Sequence, residues 1–132
     1  MYAKTIFALC FISIITFASC SKKKEDVKPE FPIEGKWVGK YSVLSGPYNN
    51  YYSFNIKAGG VIELLNDLGE KTGEGTWDLD GATFFATYTY GGPDGVFSVL
   101  ATFKKDTGEL EGTWGAGVKG YGGGYWYMDR VN

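Results

Sequence analysis

Between residues 31 and 132 no stretch sets apolar residues at helical spacing over three turns, whereas apolar and polar residues alternate between turn signals about every 12 residues. Trp37, Tyr41 and Val43 alternate with Lys36, Lys40 and Ser42, and Tyr52, Phe54 and Ile56 alternate with Ser53, Asn55 and Lys57. Further runs follow through Val61 to Asn66, Gly73 to Asp80, Thr83 to Tyr88, Phe97 to Lys104, Leu110 to Trp114 and Tyr125 to Arg130. The breaks between them carry turn chemistry, among them Ala58-Gly59-Gly60, Asp80-Gly81 and Asp106-Thr107-Gly108. Short strands, each with one apolar face and joined by short turns, predict an all-β domain. The simplest arrangement is an antiparallel up-and-down β-barrel of about eight strands, because closure removes both exposed edges. A two-sheet sandwich is the alternative, but its crossing connections usually need more residues than these turns offer.

All four tryptophans follow a glycine by two residues, at Gly35-Lys36-Trp37, Gly75-Thr76-Trp77, Gly112-Thr113-Trp114 and Gly124-Tyr125-Trp126. In a strand this spacing puts glycine and indole on the same face. The missing side chain leaves room for a ring from a neighbouring strand and allows the bend that a small barrel requires. These indoles pack the barrel ends or line a pocket. Sixteen large residues fall on the inward faces, enough to fill a small barrel, while an eight-strand interior can also hold one small ligand.

The placement of Gly35, Trp37, Trp126 and Arg130 on the first and last strands is similar to the calycin barrels, lipocalins above all. The resemblance implies a lipocalin-like barrel in which the Trp37 indole crosses the closed end and Arg130 packs over its ring. Avidins share the strand count and the Gly-Thr-Trp runs. Their biotin-binding positions, two and six residues after the first tryptophan, fall here on Gly39 and Val43, whose side chains cannot accept the required hydrogen bonds.

Residues 1–19 combine Lys4, an apolar run from Ile6 to Phe17 and small residues before Cys20, the layout of an export signal. The run is shorter than the roughly 20 apolar residues of a membrane span. Phe17-Ala18-Ser19-Cys20 resembles the lipobox of bacterial lipoproteins. That resemblance implies a signal peptide over 1–19, acylation of Cys20 and a membrane partner reached through it. Residues 20–30 read as a charged, disordered tether, with seven charges among the ten residues Ser21 to Glu30. Within it Lys24-Glu25-Asp26 resembles a signal for the outer face of the outer membrane, so the expected location is exported, outer-membrane anchored and surface-exposed. Residues 31–132 form the barrel domain. With Cys10 removed and Cys20 acylated, that domain has no disulfide and depends on packing.

Composition narrows the function. Residues 31–132 hold 8 Lys+Arg against 12 Asp+Glu, which disfavours nucleic acid as a partner. The chain has no histidine, which removes imidazole catalysis and imidazole metal ligation. Glu63, Glu74, Asp78, Asp80, Glu109 and Glu111 lie on polar strand faces, and no pair stands out as a catalytic couple. The expectation is a monomeric binding protein without catalytic residues, metal or cofactor. Tyr41, Phe54, Trp77, Tyr88 and Trp114 are the candidates to line a site for a small apolar or amphipathic ligand. Tyr48, Tyr51, Tyr121 and Tyr125 lie in or beside Gly/Asn/Ser-rich loops, a composition suited to recognising a surface glycan or protein, or to covering the barrel mouth.

Overall fold

The structure, a computed structural model, describes residues 30–131. The signal segment 1–19, Cys20 and the tether through residue 29 lie outside the described residues. Eight strands form one closed antiparallel barrel in up-and-down order: β1 (Gly35–Tyr41), β2 (Asn50–Lys57), β3 (Val61–Leu65), β4 (Lys71–Asp80), β5 (Thr83–Tyr90), β6 (Val96–Lys104), β7 (Glu109–Ala116) and β8 (Gly124–Arg130). Pairing of β1 with β8 over Trp37↔Arg130 to Tyr41↔Trp126 closes it. A single 3₁₀ turn, Ala58–Gly60, is the only helical element among the described residues.

Strand parity assigns the ends. Odd-numbered strands run toward the end that carries the β1–β2, β3–β4, β5–β6 and β7–β8 loops; even-numbered strands return to the end where residues 30–34 lie. The latter end is closed. Phe31 donates its backbone N–H to the Lys105 carbonyl at 2.7 Å, and buried Ile33 accepts the Trp37 indole N–H at 2.8 Å. Trp37, with no exposed surface, packs edge-on against Phe103 at 6.0 Å. Truncating such a ring costs about 3–5 kcal/mol. Arg130 stands opposite Trp37 in register, and its guanidinium donates through Nε and Nη2 to the Glu34 carbonyl at 3.1 and 2.8 Å.

All four indole N–H groups donate to backbone carbonyls: Trp37 to Ile33, Trp77 to Lys57, Trp114 to Ser42 and Trp126 to Thr113, at 2.7–2.9 Å. Each tryptophan thus adds a staple to its buried area without leaving a polar group unpaired. The glycines preceding Trp77 and Trp114 have a steric reason. A Cβ on Gly75 would lie 1.9 Å from the Thr87 carbonyl oxygen, and one on Gly112 would lie 1.8 Å from that of Leu100. Across the neighbouring strands Gly75 faces Tyr88 and Gly112 faces Trp126, so each large ring sits over a position without a side chain.

Two local expectations are corrected. The alternation of the first strand stops at Tyr41: Ser42 is buried, its N–H bonded to the Tyr125 carbonyl at 2.8 Å, and Val43 is exposed instead of facing inward. Ser53 and Ser98, on the polar side of their strands, are also fully buried. Hydrogen bonds explain both, from Ser53 Oγ to the Trp37 carbonyl and from Ser98 Oγ to the Gly117 carbonyl, each 2.7 Å long.

Candidate functional site

The interior is filled at the closed end and hollow at the other. Phe54 and Trp126, neither with exposed surface, meet edge-to-face at 5.6 Å and form the boundary. Beyond them lies a cavity of about 340 Å³, within the size range of small-molecule sites. Five of its lining side chains form a closed circuit of aromatic contacts. Tyr41 meets Tyr52 at 5.0 Å, Tyr52 meets Tyr88 at 6.5 Å, Tyr88 stacks on Phe97 at 6.0 Å, Phe97 meets Trp114 at 6.2 Å, and Trp114 returns to Tyr41 at 5.6 Å. The rings come from β1, β2, β5, β6 and β7; Leu64 of β3, Leu65, Thr72 of β4 and Tyr90 complete the wall, and Asn66 and Asp67 stand on the β3–β4 turn.

The circuit has one buried polar feature. The Tyr52 and Tyr88 hydroxyls lie 2.5 Å apart and hydrogen-bond to each other. Two hydroxyls carry two protons and only one is used in this bond; among the described residues no other group accepts from either. Burial, followed by the neighbouring Tyr88, pushes the Tyr52 hydroxyl well above the usual tyrosine range. Burial pushes Tyr88 up to about 12, against the opposing influence of its bond to Tyr52. Both are therefore neutral at physiological pH. The cavity thus offers aromatic and aliphatic surface, neutral hydroxyls, and the Asp67 carboxylate, with no lysine or arginine in its lining.

The loops around the mouth are held without closing it. Between β7 and β8, Thr113 Oγ1 and Ser98 Oγ donate to the Gly120 and Gly117 carbonyls, which draws the loop against the outer wall of β6 and β7. Gly123 and Gly124 lie flat on the Trp114 ring, where a Cβ would come within 2.6–2.9 Å of it. The β1–β2 loop is tied to this segment by the Leu44 N–H, which donates to the Gly123 carbonyl at 2.7 Å. Leu44 adopts φ 55°, a left-handed conformation that costs a non-glycine residue about 1–2 kcal/mol.

Of the residues expected to line a site, Tyr41, Tyr88 and Trp114 surround the cavity. Phe54 lies fully buried beneath it and touches Tyr52 and Tyr88. Trp77 is remote: it lies late in the descending β4, stacks on Phe84 and bonds to Lys57 near the closed end. Tyr52, Phe97 and Tyr90 line the cavity as well, beyond the residues expected from the sequence. Strand parity could have found them, since a residue early in a descending strand or late in an ascending one lies near the mouth. Tyr48, Tyr121 and Tyr125 are exposed, Tyr48 against Tyr127 at 5.3 Å, while Tyr51 lies at the cavity rim.

Among the described residues no group of three or more acidic or cysteine side chains is placed to hold a metal ion, and no helix is long and apolar enough to cross a membrane. No protein-family model matches the chain, and no curated protein or solved structure matches it at a significant level.

Proposed function

We propose that this chain is an exported lipoprotein, acylated on Cys20 and anchored in the outer membrane, whose lipocalin-like barrel binds a small apolar or amphipathic ligand in its mouth. The observation that carries the reading is the closed aromatic circuit of Tyr41, Tyr52, Tyr88, Phe97 and Trp114 around a cavity of about 340 Å³. A largely apolar wall with a few placed polar groups is the usual form of a ligand site. Binding, without catalysis, is the role this lining suits: it offers no nucleophile paired with a base, and Asp67 is its one carboxylate. Trp37 and Arg130, opposed across β1 and β8 at the closed end, support the lipocalin-like reading.

The anchor gives the site an orientation. Glu30 pairs with Lys105 at 3.4 Å, so the described chain begins at the closed end of the barrel. Nine residues lie between Cys20 and Glu30, a reach of at most about 35 Å. The closed end is therefore the end nearer the point of attachment, and the mouth is the end farther from it.

Native mass spectrometry of the chain recovered gently from its producing cells tests the ligand reading. A discrete added mass is expected. Its absence, under conditions that preserve a control lipocalin complex, counts against a resident ligand.

A second reading rests on the exposed Tyr48, Tyr121 and Tyr125, with Tyr51 at the rim, as a surface for glycan or protein. Replacing Tyr48, Tyr121 and Tyr125 with Ala abolishes recognition on this reading and leaves a cavity ligand bound.

A further inference from the structure

We propose that the ligand of the barrel mouth carries a cationic head, of the quaternary or protonated ammonium kind, and that anionic amphiphiles are refused. This rests on the reading of the cavity as a ligand site and adds the charge of what it takes.

Five aromatic rings line the cavity, and an aromatic ring attracts a cation that lies over its face within about 6 Å of the centroid. The same surface gives a carboxylate or sulfonate no compensation for lost water. Cationic side chains that would recognise an anion are missing from the lining. Lys71, adjacent to Thr72 of the wall, is engaged outside it, 2.6 Å from Glu74 and 3.9 Å from Glu63. Across the four mouth loops the charged residues are Asp67, Glu70, Asp94 and Lys119, three acids to one base. Asp67 lines the cavity and has no ion-pair partner among the described residues, whereas the Glu70 carboxylate accepts from Asn66 Nδ2 at 3.0 Å. A positive head thus enters a lining of five aromatic rings and one unpaired carboxylate. The remaining hydroxyl proton of the Tyr52–Tyr88 pair can be donated to an uncharged oxygen on the same molecule.

The test uses three water-soluble probes of one shape with the full-length chain, by calorimetry and tryptophan emission. They are choline, its neutral carbon isostere 3,3-dimethylbutan-1-ol, and the anion 3,3-dimethylbutanoate. Choline is expected to bind at least tenfold more tightly than the neutral alcohol, equivalent to about 1.4 kcal/mol, with the anion weakest. Asp67→Asn should weaken choline several-fold and leave the alcohol unchanged, a split that mere loss of folding would not produce. Equal binding of choline and the alcohol overturns the charge preference and leaves the ligand site standing. Preferential binding of the anion also overturns it. No response to any probe, in calorimetry as well as in emission, removes both the preference and the site.

Discussion

The hydroxyl groups of Tyr52 on β2 and Tyr88 on β5 meet at 2.5 Å beside the cavity, joining strands that are not neighbours in the sheet. Both side chains are buried, and each hydroxyl has the other as its partner. Removing one hydroxyl leaves the other desolvated and unpaired, whereas removing both replaces the pair with apolar rings of the same shape. Tyr52→Phe and Tyr88→Phe should therefore each cost about 1–3 kcal/mol in urea denaturation. The double variant should be less destabilised than the sum of the singles, and strict additivity would show that the bond contributes nothing.

The same pair makes the barrel sensitive to alkali. In the unfolded chain each tyrosine ionises near 10; in the barrel burial holds both hydroxyls protonated, Tyr88 up to about 12. Unfolding therefore releases protons above pH 10. The contribution is intact below that pH and is lost as pH rises from 10 toward 12, on the order of 3 kcal/mol for Tyr88 alone. Denaturation midpoints measured from pH 8 to 12 should fall over that window. The Tyr52→Phe/Tyr88→Phe variant should show a shallower fall, and an unchanged slope would place the alkaline sensitivity elsewhere.

Alternation along the chain reveals which way a side chain faces, but not how high it sits in the barrel. This is why the eight strands, their turns and most of the core were legible in the sequence and the composition of the site was only partly so. Trp77 and Trp114 occupy the same Gly-Thr-Trp motif and both face inward. They lie at opposite ends because β4 descends and β7 ascends. Tyr52 reads as one more inward aromatic until register sets it over Gly39 and its hydroxyl against Tyr88. The end of β1 departs from the alternation for a related reason. Ser42 and Val43 continue the alternation in the sequence, but the Ser42 N–H donates to the Tyr125 carbonyl of β8, its Oγ accepts the Tyr125 N–H, and its neighbour Val43 is turned to solvent.

Closure itself depends on positions without a side chain. A methyl group on Gly75 would require Thr87 and the Tyr88 Cα, 2.6 Å away, to retreat, and both belong to backbone held in the ladder of β4 and β5. Gly75→Ala should thus cost more than the roughly 1–3 kcal/mol of ordinary overpacking and abolish the near-ultraviolet signal of the packed tryptophans. Gly81, in the turn after β4 at φ +61°, has open space around its Cα. Asn tolerates that conformation, so Gly81→Asn should shift stability by less than about 1 kcal/mol. Similar losses at both sites would mean that the close approach of β4 and β5 is not what demands glycine.

The proposed anchor and the position of residues 30–34 together make a spatial prediction. An acylated Cys20 holds the barrel by its closed end, because Phe31 and Glu30 are fastened to Lys105. Acyl chains contribute about 0.8 kcal/mol per buried methylene, and two suffice for stable attachment. Cys20→Ala should accordingly release the chain from the membrane fraction; retention would remove Cys20 as the anchor. In vesicles bearing the acylated chain, a fluorophore at Asp106 beside the closed end should be quenched by a lipid-headgroup quencher. One at Leu68, exposed on the β3–β4 turn at the mouth, should be quenched much less. The tether joins the barrel at Glu30, beside Lys105, so Asp106 lies a barrel length nearer the point of attachment than Leu68. Stronger quenching at Leu68 would reverse the orientation and make the anchoring bilayer the source of the ligand.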